Sequence, residues 1–334
     1  MTDANAIYQS IQTAQRIVIV SHKSPDGDSI GSSLAFFHLL KKWGKNVTVV
    51  HPDPAADYLQ WVEGQDQIIT FEKNENQAIQ LLQEADVICC LDFNEPSRVG
   101  KDMQPYLEQA TATKIMIDHH LFPSDFCQFR ISISTACSTA QLVYEWLEEI
   151  KQLDSLDATI GTCIYLGLLT DTGSFRFPSV NAHTHHILAH LLEVGVVHYE
   201  IHERIYDTNT IDRIRLRGYA LSEKLVCLEG LPIAYISLSA EELERFNYKK
   251  GDTEGLVNQV LGIQGIQMAV LFVEKDGVVK ISFRSKGIYT VNELAAKYFE
   301  GGGHGYASGG VSTASLEQTT LKFVTIVNEF IPIA

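Results

Sequence analysis

Short apolar runs separated by stretches of helical periodicity make up roughly the first 185 residues, whereas the last third changes its rhythm. The runs at 16–20, 46–50, 86–91 and 113–117 are nearly unbroken in apolar residues and do not alternate, which predicts strands covered on both faces. Helical spacing predicts helices near 28–42, 138–150 and 157–169, with Ser138 or Thr139 as an N-cap and Gly44 as a C-terminal stop. Strands alternating with helices predict an α/β fold: an N-terminal, mostly parallel sheet with helices on both faces. From about 186 to 222 the composition turns to His, Arg and Glu with helical periodicity, which predicts a helical connection. Beyond it, runs at 231–237, 267–273 and 278–284 read as strands, with a hairpin at Asp276-Gly277. Helices over 291–299 and 314–330 complete a smaller C-terminal α+β domain. The expected division is therefore 1–185, 186–222 and 223–334.

The polar residues that end these elements change the picture. Ile115-Met116-Ile117 runs into Asp118-His119-His120, and Ile17-Val18-Ile19-Val20 into His22, Asp26 and Asp28. The run 86–91 ends at Asp92, and the segment Ile164–Leu169 leads to Asp171 and a turn. In open α/β sheets the carboxyl edge is where ligands bind. Four elements that each deliver Asp or His at that end read together as a metal site. Carboxylates and imidazoles without thiolates suit two divalent cations, with histidine favouring Mn²⁺ over Mg²⁺.

Composition sets bounds on this reading. With 334 residues and 45% hydrophobic content the chain can bury substantial cores, and the length prior favours two domains. No apolar run approaches the roughly 18 residues that span a bilayer, and the N-terminus lacks the pattern of a secretion signal, so a cytoplasmic protein without membrane contact is expected. Six scattered cysteines, without a C-x-x-C pair, read mostly as small buried hydrophobes. A formal charge of −15 argues against coating long duplex nucleic acid but not against a short RNA or nucleotide substrate. A homodimer is compatible with all of this.

Other conspicuous groups read more plainly. His183, His185, His186, His190, His198 and His202 include two i, i+4 pairs, yet no acid or cysteine completes either at zinc-like spacing, so packed or solvated helix histidines are expected. Arg213, Arg215 and Arg217 read as a solvated helix face. The run Gly301-Gly302-Gly303-His304 reads as a permissive loop whose amides can approach a phosphate.

In order and spacing, His22-x-x-x-Asp26-x-Asp28, Asp92, Asp118-His119-His120 and Asp171 resemble the four motifs of the DHH phosphoesterase family, in the RecJ-like superfamily. Gly301–His304 followed by Ala307-Ser308-Gly309 resembles the signature of its associated DHHA1 domain. The resemblance spans most of the chain, and in length and layout is similar to the small bacterial nano-RNases that also dephosphorylate 3'-phosphoadenosine 5'-phosphate (pAp). It implies that His22, Asp26 and Asp92 hold one cation and that Asp28, Asp92, His119 and Asp171 hold the second, Asp92 bridging. It further implies that His120 contacts substrate as a catalytic residue, that Asp118 orients a neighbour, and that Arg284 with Gly301, Gly302, Gly303 and His304 binds substrate phosphate. The implied activity is hydrolysis of short oligoribonucleotides or pAp to mononucleotides in an interdomain cleft. Hydrolysis of cyclic or linear signalling dinucleotides is the neighbouring alternative, and a non-catalytic nucleotide or RNA sensor the rival from another class. The complete motif set weighs against the rival.

Overall fold

The structure, a computed structural model, describes residues 3–330; the side chains of His304 and of residues 328–330 lie outside that description. The chain divides into two compact units, Met1–Thr208 and Asn209–Ala334.

The first unit runs α1 (Ala4–Thr13), β1 (Ile17–Val20), α2 (Gly27–Lys42), β2 (Val47–His51), β3 (Ile69–Thr70), α3 (Glu75–Glu84), β4 (Val87–Leu91), α4 (Gln104–Gln109), β5 (Thr113–Asp118), β6 (Phe129–Ser132), α5 (Thr139–Glu149), α6 (Ala158–Asp171), α7 (Ala182–Glu193) and α8 (His198–Tyr206). All pairings in its six-stranded sheet are parallel, in the order β3-β2-β1-β4-β5-β6. Both faces are covered, as the unbroken apolar runs require. In β1, Ile17 and Ile19 join the core shared with α1, α2, α5 and α6, while Val18 and Val20 join the core built with α3 and α4. Connections leave β1 towards β2 on one side and β4 towards β5 on the other, so a crevice opens at the carboxyl ends of these two neighbours.

Two helix termini expected from the sequence are present. Ser138 Oγ accepts from the Gln141 amide at 3.0 Å, and Gly44, at φ 75°, follows the end of α2. Helices α2 and α6 approach so closely that a Cβ on Gly31 would lie 2.5 Å from the Cys163 carbonyl oxygen. One on Gly167 would lie 2.5 Å from Asp28 Oδ1. The elements that the hydrophobic pattern missed are short or sparsely apolar: β3 has two residues, β6 four, and α3 buries only Ala78 and Leu82.

The second unit runs α9 (Ile211–Glu223), β7 (Leu225–Cys227), β8 (Ile233–Leu238), α10 (Ala240–Arg245), α11 (Leu256–Leu261), β9 (Met268–Lys275), β10 (Val278–Ser285), α12 (Val291–Tyr298), β11 (Gly302–His304), β12 (Ala307–Ser312) and α13 (Leu316–Phe330). Its sheet has the order β11-β12-β10-β9-β8-β7, parallel only between β8 and β9. The hairpin turn holds Asp276 at φ 54° and Gly277 at φ 76°, both positive as a tight primed turn needs. One expectation is corrected here: most of the glycine run is no loop, because Gly302–His304 pair with β12 as an edge strand. Glycine lowers strand propensity, and the pairing exists because side-chain-free backbones pack closely enough to reward it: a Cβ on Gly303 would lie 2.7 Å from the Ala307 carbonyl oxygen.

Candidate metal centre

Each acid and histidine of the expected cluster is placed by a local feature of the backbone. Asp26 is the N-cap of α2, and its Oδ1 accepts from the amides of Asp28 and Ser29 at 3.0 Å each. Asp28, just inside that helix and buried, reaches across to the start of α5, where Oδ2 accepts from the Thr139 amide at 2.6 Å and Oδ1 from the Ala140 amide at 2.9 Å. A carboxylate at a helix N-terminus meets unpaired N–H groups and the positive end of the helix dipole. Asp92 follows β4 at φ 65°, a left-handed conformation costly for most side chains and better tolerated by Asp. Asp171 is the last residue of α6.

The carboxyl edge of the sheet brings these groups together. His22 Nε2 lies 3.4 Å from Asp92 Oδ2 and 3.9 Å from Asp26 Oδ1. His119 Nε2 lies 3.4 Å from Asp171 Oδ2, 3.7 Å from Asp92 Oδ1 and 3.9 Å from Asp28 Oδ2. Donor atoms of His22, Asp26 and Asp92 all fall within 4.8 Å of one another, as do those of Asp28, His119 and Asp171. The same holds for Asp92, His119 and His120.

Ring tautomers follow from the other nitrogen of each imidazole. His22 Nδ1 faces the Lys23 carbonyl oxygen at 2.9 Å, and His119 Nδ1 faces that of Ala136 at 3.3 Å. A carbonyl only accepts, so each Nδ1 carries a proton and each ring turns its Nε2 towards carboxylate oxygens. An Nε2 facing several carboxylate oxygens needs a positive charge between them, a proton or a metal cation, and a backbone-anchored Nδ1–H is the usual support of a metal-ligating histidine.

Electrostatics agree with this donor geometry. Burial, reinforced by the charges of Asp28, Asp26 and Asp171, pushes the Asp92 carboxyl well above its ordinary range despite His119. Asp28 is raised by burial and by Asp26, against the pull of His119 and the two helix amides. Burial lowers His119, but Asp171, Asp92, Asp28 and Asp118 outweigh it and bring the ring to about 9. Acids crowded this closely raise one another's proton affinity, a cost that divalent cations relieve. The all-oxygen-and-imidazole donor set therefore fits hard or borderline divalent ions.

His120 is held differently. Asp118, buried at the end of β5, accepts from His120 Nδ1 at 2.7 Å and from the His120 amide at 3.1 Å. The acid thereby fixes both the ring and its main chain. Thr139 was read only as a possible cap, yet its Oγ1 donates to Asp92 Oδ1 at 2.8 Å. Nothing in the sequence separates that hydroxyl from other helix-start threonines, since its partner lies 47 residues away.

Arg284 and Gly301–His304 belong to the second unit and lie on either side of β12, near one edge of its sheet. Ala307 of β12 pairs with Arg284 on one side and with His304 on the other. The Arg284 guanidinium donates from Nη1 to the Phe283 carbonyl at 2.9 Å. Of the helix histidines of 183–202, two pack against tyrosines, with Tyr144 Oη 2.7 Å from His190 Nδ1 and Tyr165 Oη 3.3 Å from His202 Nε2, while His185, His186 and His198 are exposed. Among the described residues none of the histidines of 183–202 falls in a metal-competent group. Arg217 serves structure, donating to the carbonyls of Asp252 and Glu254.

Comparison with known proteins agrees with the layout. Residues 16–168 match the DHH family, N-terminal domain, and residues 231–331 match the DHHA1 domain. The crystal structure of an exopolyphosphatase-related protein from Bacteroides fragilis superimposes with a TM-score of 0.93 at 38% identity, covering 98% of this chain and 96% of that one. The chain belongs to the DHH family. Another relative of this DHH chain, the bifunctional oligoribonuclease and PAP phosphatase NrnA of Bacillus subtilis (strain 168), is 28% identical over 308 residues, 91% of either protein. RecJ of Thermus thermophilus, solved in complex with Mn²⁺, shares the fold at 10% identity with a TM-score of 0.54, over 98% of this chain and 54% of RecJ. Among the described residues no helix of this DHH protein is long and apolar enough to cross a membrane.

Proposed function

We propose that this chain is a two-metal phosphoesterase that hydrolyses short oligoribonucleotides and pAp to mononucleotides. The observation that carries the reading is the pair of donor groups, His22/Asp26/Asp92 and Asp28/His119/Asp171, that meet around Asp92. In this reading the first group holds one divalent cation, the second group with Asp92 holds the other, and Mn²⁺ is preferred because two imidazoles are among the donors. Bound there, two such ions supply Lewis-acid stabilisation of phosphoryl oxygens and a lowered pKa for the attacking water.

The chain's own residues do the rest. Asp28 stays anchored on the α5 amides, which hold its Oδ2 3.9 Å from His119 Nε2. Asp118 keeps the proton of His120 on Nδ1, which leaves Nε2 for contact with the substrate phosphoryl group. Thr139 holds one oxygen of Asp92, which limits how the shared carboxylate can turn. Arg284, offering a planar fork of donors, and the amides of Gly301–His304 take a substrate phosphate distant from the bond that breaks. The family membership and the NrnA relative support the choice of substrate class.

Release of mononucleotide or phosphate from pAp, a linear dinucleotide, a cyclic dinucleotide and a 24-mer RNA, each with Mn²⁺, with Mg²⁺ and with chelator, tests the reading. Turnover of the two short linear substrates, lost with chelator, is expected. Comparable rates on the 2-mer and the 24-mer, or preference for the cyclic dinucleotide, would overturn the substrate class; equal turnover with chelator would overturn the metal chemistry.

A further inference from the structure

The loop that follows His120 carries an aromatic ring out of the protein. Among the described residues Phe122 is the most exposed large hydrophobic side chain, at 81%. Single exposed hydrophobic residues are common and mean little alone. Phe122 is set apart by its backbone: its φ of 59° is left-handed, which is rare for a bulky side chain, and the following Pro123 pushes it towards extended geometry instead. A residue held against both preferences persists only where its surroundings over-determine it.

Those surroundings are the residues that follow Asp92. Asn94 Nδ2 donates to the Leu121 carbonyl at 2.8 Å, and the Asn94 carbonyl accepts from the Ser124 amide at 2.8 Å and from Ser124 Oγ at 3.2 Å. Phe126 stacks on Phe93, with ring centroids 5.9 Å apart and an interplanar angle of 24°. The loop is thus sewn, on either side of Phe122, to the two residues next to the shared carboxylate. Its distance from the centre is bounded as well. Two residues of chain span at most about 7 Å, so the Phe122 Cα lies no further than that from the Cα of His120, whose ring falls in one donor group with Asp92 and His119. Between Leu121 and Cys127 the loop has no lysine or arginine, so it offers a neutral face and no cation for a phosphate.

We propose that Phe122 is a stacking platform for a nucleobase of the substrate, one sugar away from the phosphoryl group at the metal centre. The inference rests on the phosphoesterase reading and deepens it by naming the surface that meets the base. An exposed, firmly mounted ring suits this part, because every base presents a flat π-face and a platform ordered before binding loses little entropy when the base arrives. Turnover should therefore tolerate changes of base identity and yet depend on having a base. A stable interface with a second protein buries far more surface than one ring provides, so self-association is the rival outcome of the test.

The test uses the full chain saturated with Mn²⁺, carrying Phe122→Ala, Phe122→Leu, Phe122→Tyr or Phe122→Trp. Turnover is compared for pAp and for ribose 3',5'-bisphosphate, its counterpart without the base, and binding of AMP and of ribose 5-phosphate is measured by calorimetry. For Phe122→Ala the loss of kcat/KM on pAp should exceed the loss on the base-free compound by about 5- to 150-fold, the range of one base stacked on an aromatic side chain. The loss should lie mainly in KM, with a matching loss of AMP affinity. Phe122→Leu keeps apolar bulk and should not restore binding, whereas Phe122→Tyr and Phe122→Trp should. Equal losses on pAp and the base-free compound, or full recovery by Phe122→Leu, overturn the platform. So does a Phe122→Ala chain whose sedimentation shows a changed oligomeric state while its AMP affinity is unaltered. If the unsubstituted protein hydrolyses neither pAp nor a dinucleotide, the phosphoesterase reading fails on its own. The platform is then decided by AMP calorimetry, where no binding, or binding equal to that of ribose 5-phosphate, overturns it.

Discussion

At the carboxyl edge of the first sheet, candidate ligands arrive from positions 22 to 171, whereas in the second unit Arg284 and Gly302–His304 flank the same strand, β12, near one edge of the sheet. The first assembly is charged, buried at His22, Asp28, Asp92 and His119, and includes a left-handed Asp92; it depends on close packing of α2 against α6. The second is built from main chain, exposed at Gly301–Gly303, and depends on the absence of side chains. A non-local cluster of acids stores repulsion that the rest of the unit must overcome, while a glycine edge stores little and costs chiefly entropy. The proposed division of labour follows from that difference: strained, pre-organised charge for chemistry and accessible backbone for binding.

The sharpest way to break the comparison is to remove the shared carboxylate. Asn is the informative substitution, because it keeps the cap at Asp26 and tolerates the backbone of Asp92. Asp92→Asn should reduce kcat for pAp by about 10³-fold or more, the scale of several kcal/mol of transition-state stabilisation. Asp26→Asn, serving one ion only, should lose clearly less at saturating Mn²⁺. Equal residual activities would remove Asp92 from its bridging place.

A smaller effect is expected from the binding side. Arg284→Ala should lower kcat/KM for pAp and a dinucleotide by roughly 30- to 150-fold, the worth of about 2–3 kcal/mol in a charge-assisted bidentate contact. Hydrolysis of bis-p-nitrophenyl phosphate and the Mn²⁺ response of Tm should barely change, and Arg284→Lys should rescue in part. The same relative loss on both substrates would place Arg284 with the chemistry and erase the contrast between the units.

The smallest effects separate glycines that structure requires from one left to the ligand. A Cβ on Gly301 would lie 2.1 Å from the Gly309 carbonyl oxygen and one on Gly303 2.7 Å from that of Ala307, whereas one on Gly302 meets nothing within 4 Å. Gly301→Ala and Gly303→Ala should each destabilise the second unit by about 1–3 kcal/mol. Gly302→Ala should leave the melting temperature nearly unchanged and cost only a few-fold in kcat/KM. A thermal loss at Gly302 equal to that at Gly301 would show that the edge is wholly structural.

Apolar runs and their acidic or histidine ends were enough to place β1, β4 and β5, the helices α2, α5 and α6, and every acid and histidine of the cluster. Those features are local, since strand burial and helix capping are written in a few neighbouring residues. Short elements such as β3 and β6, and the pairing of Gly302–His304, were not legible because their energy comes from the partner strand. Thr139 on Asp92, the anchoring of Asp28 at the start of α5, and the Asn94–Leu121 tie likewise join residues far apart in sequence. Which residue types could bind a metal was decided by the chain alone. Which lone pairs face each other was decided only when the strand order 3-2-1-4-5-6 put β1 beside β4, because direction and distance exist only in the packed structure.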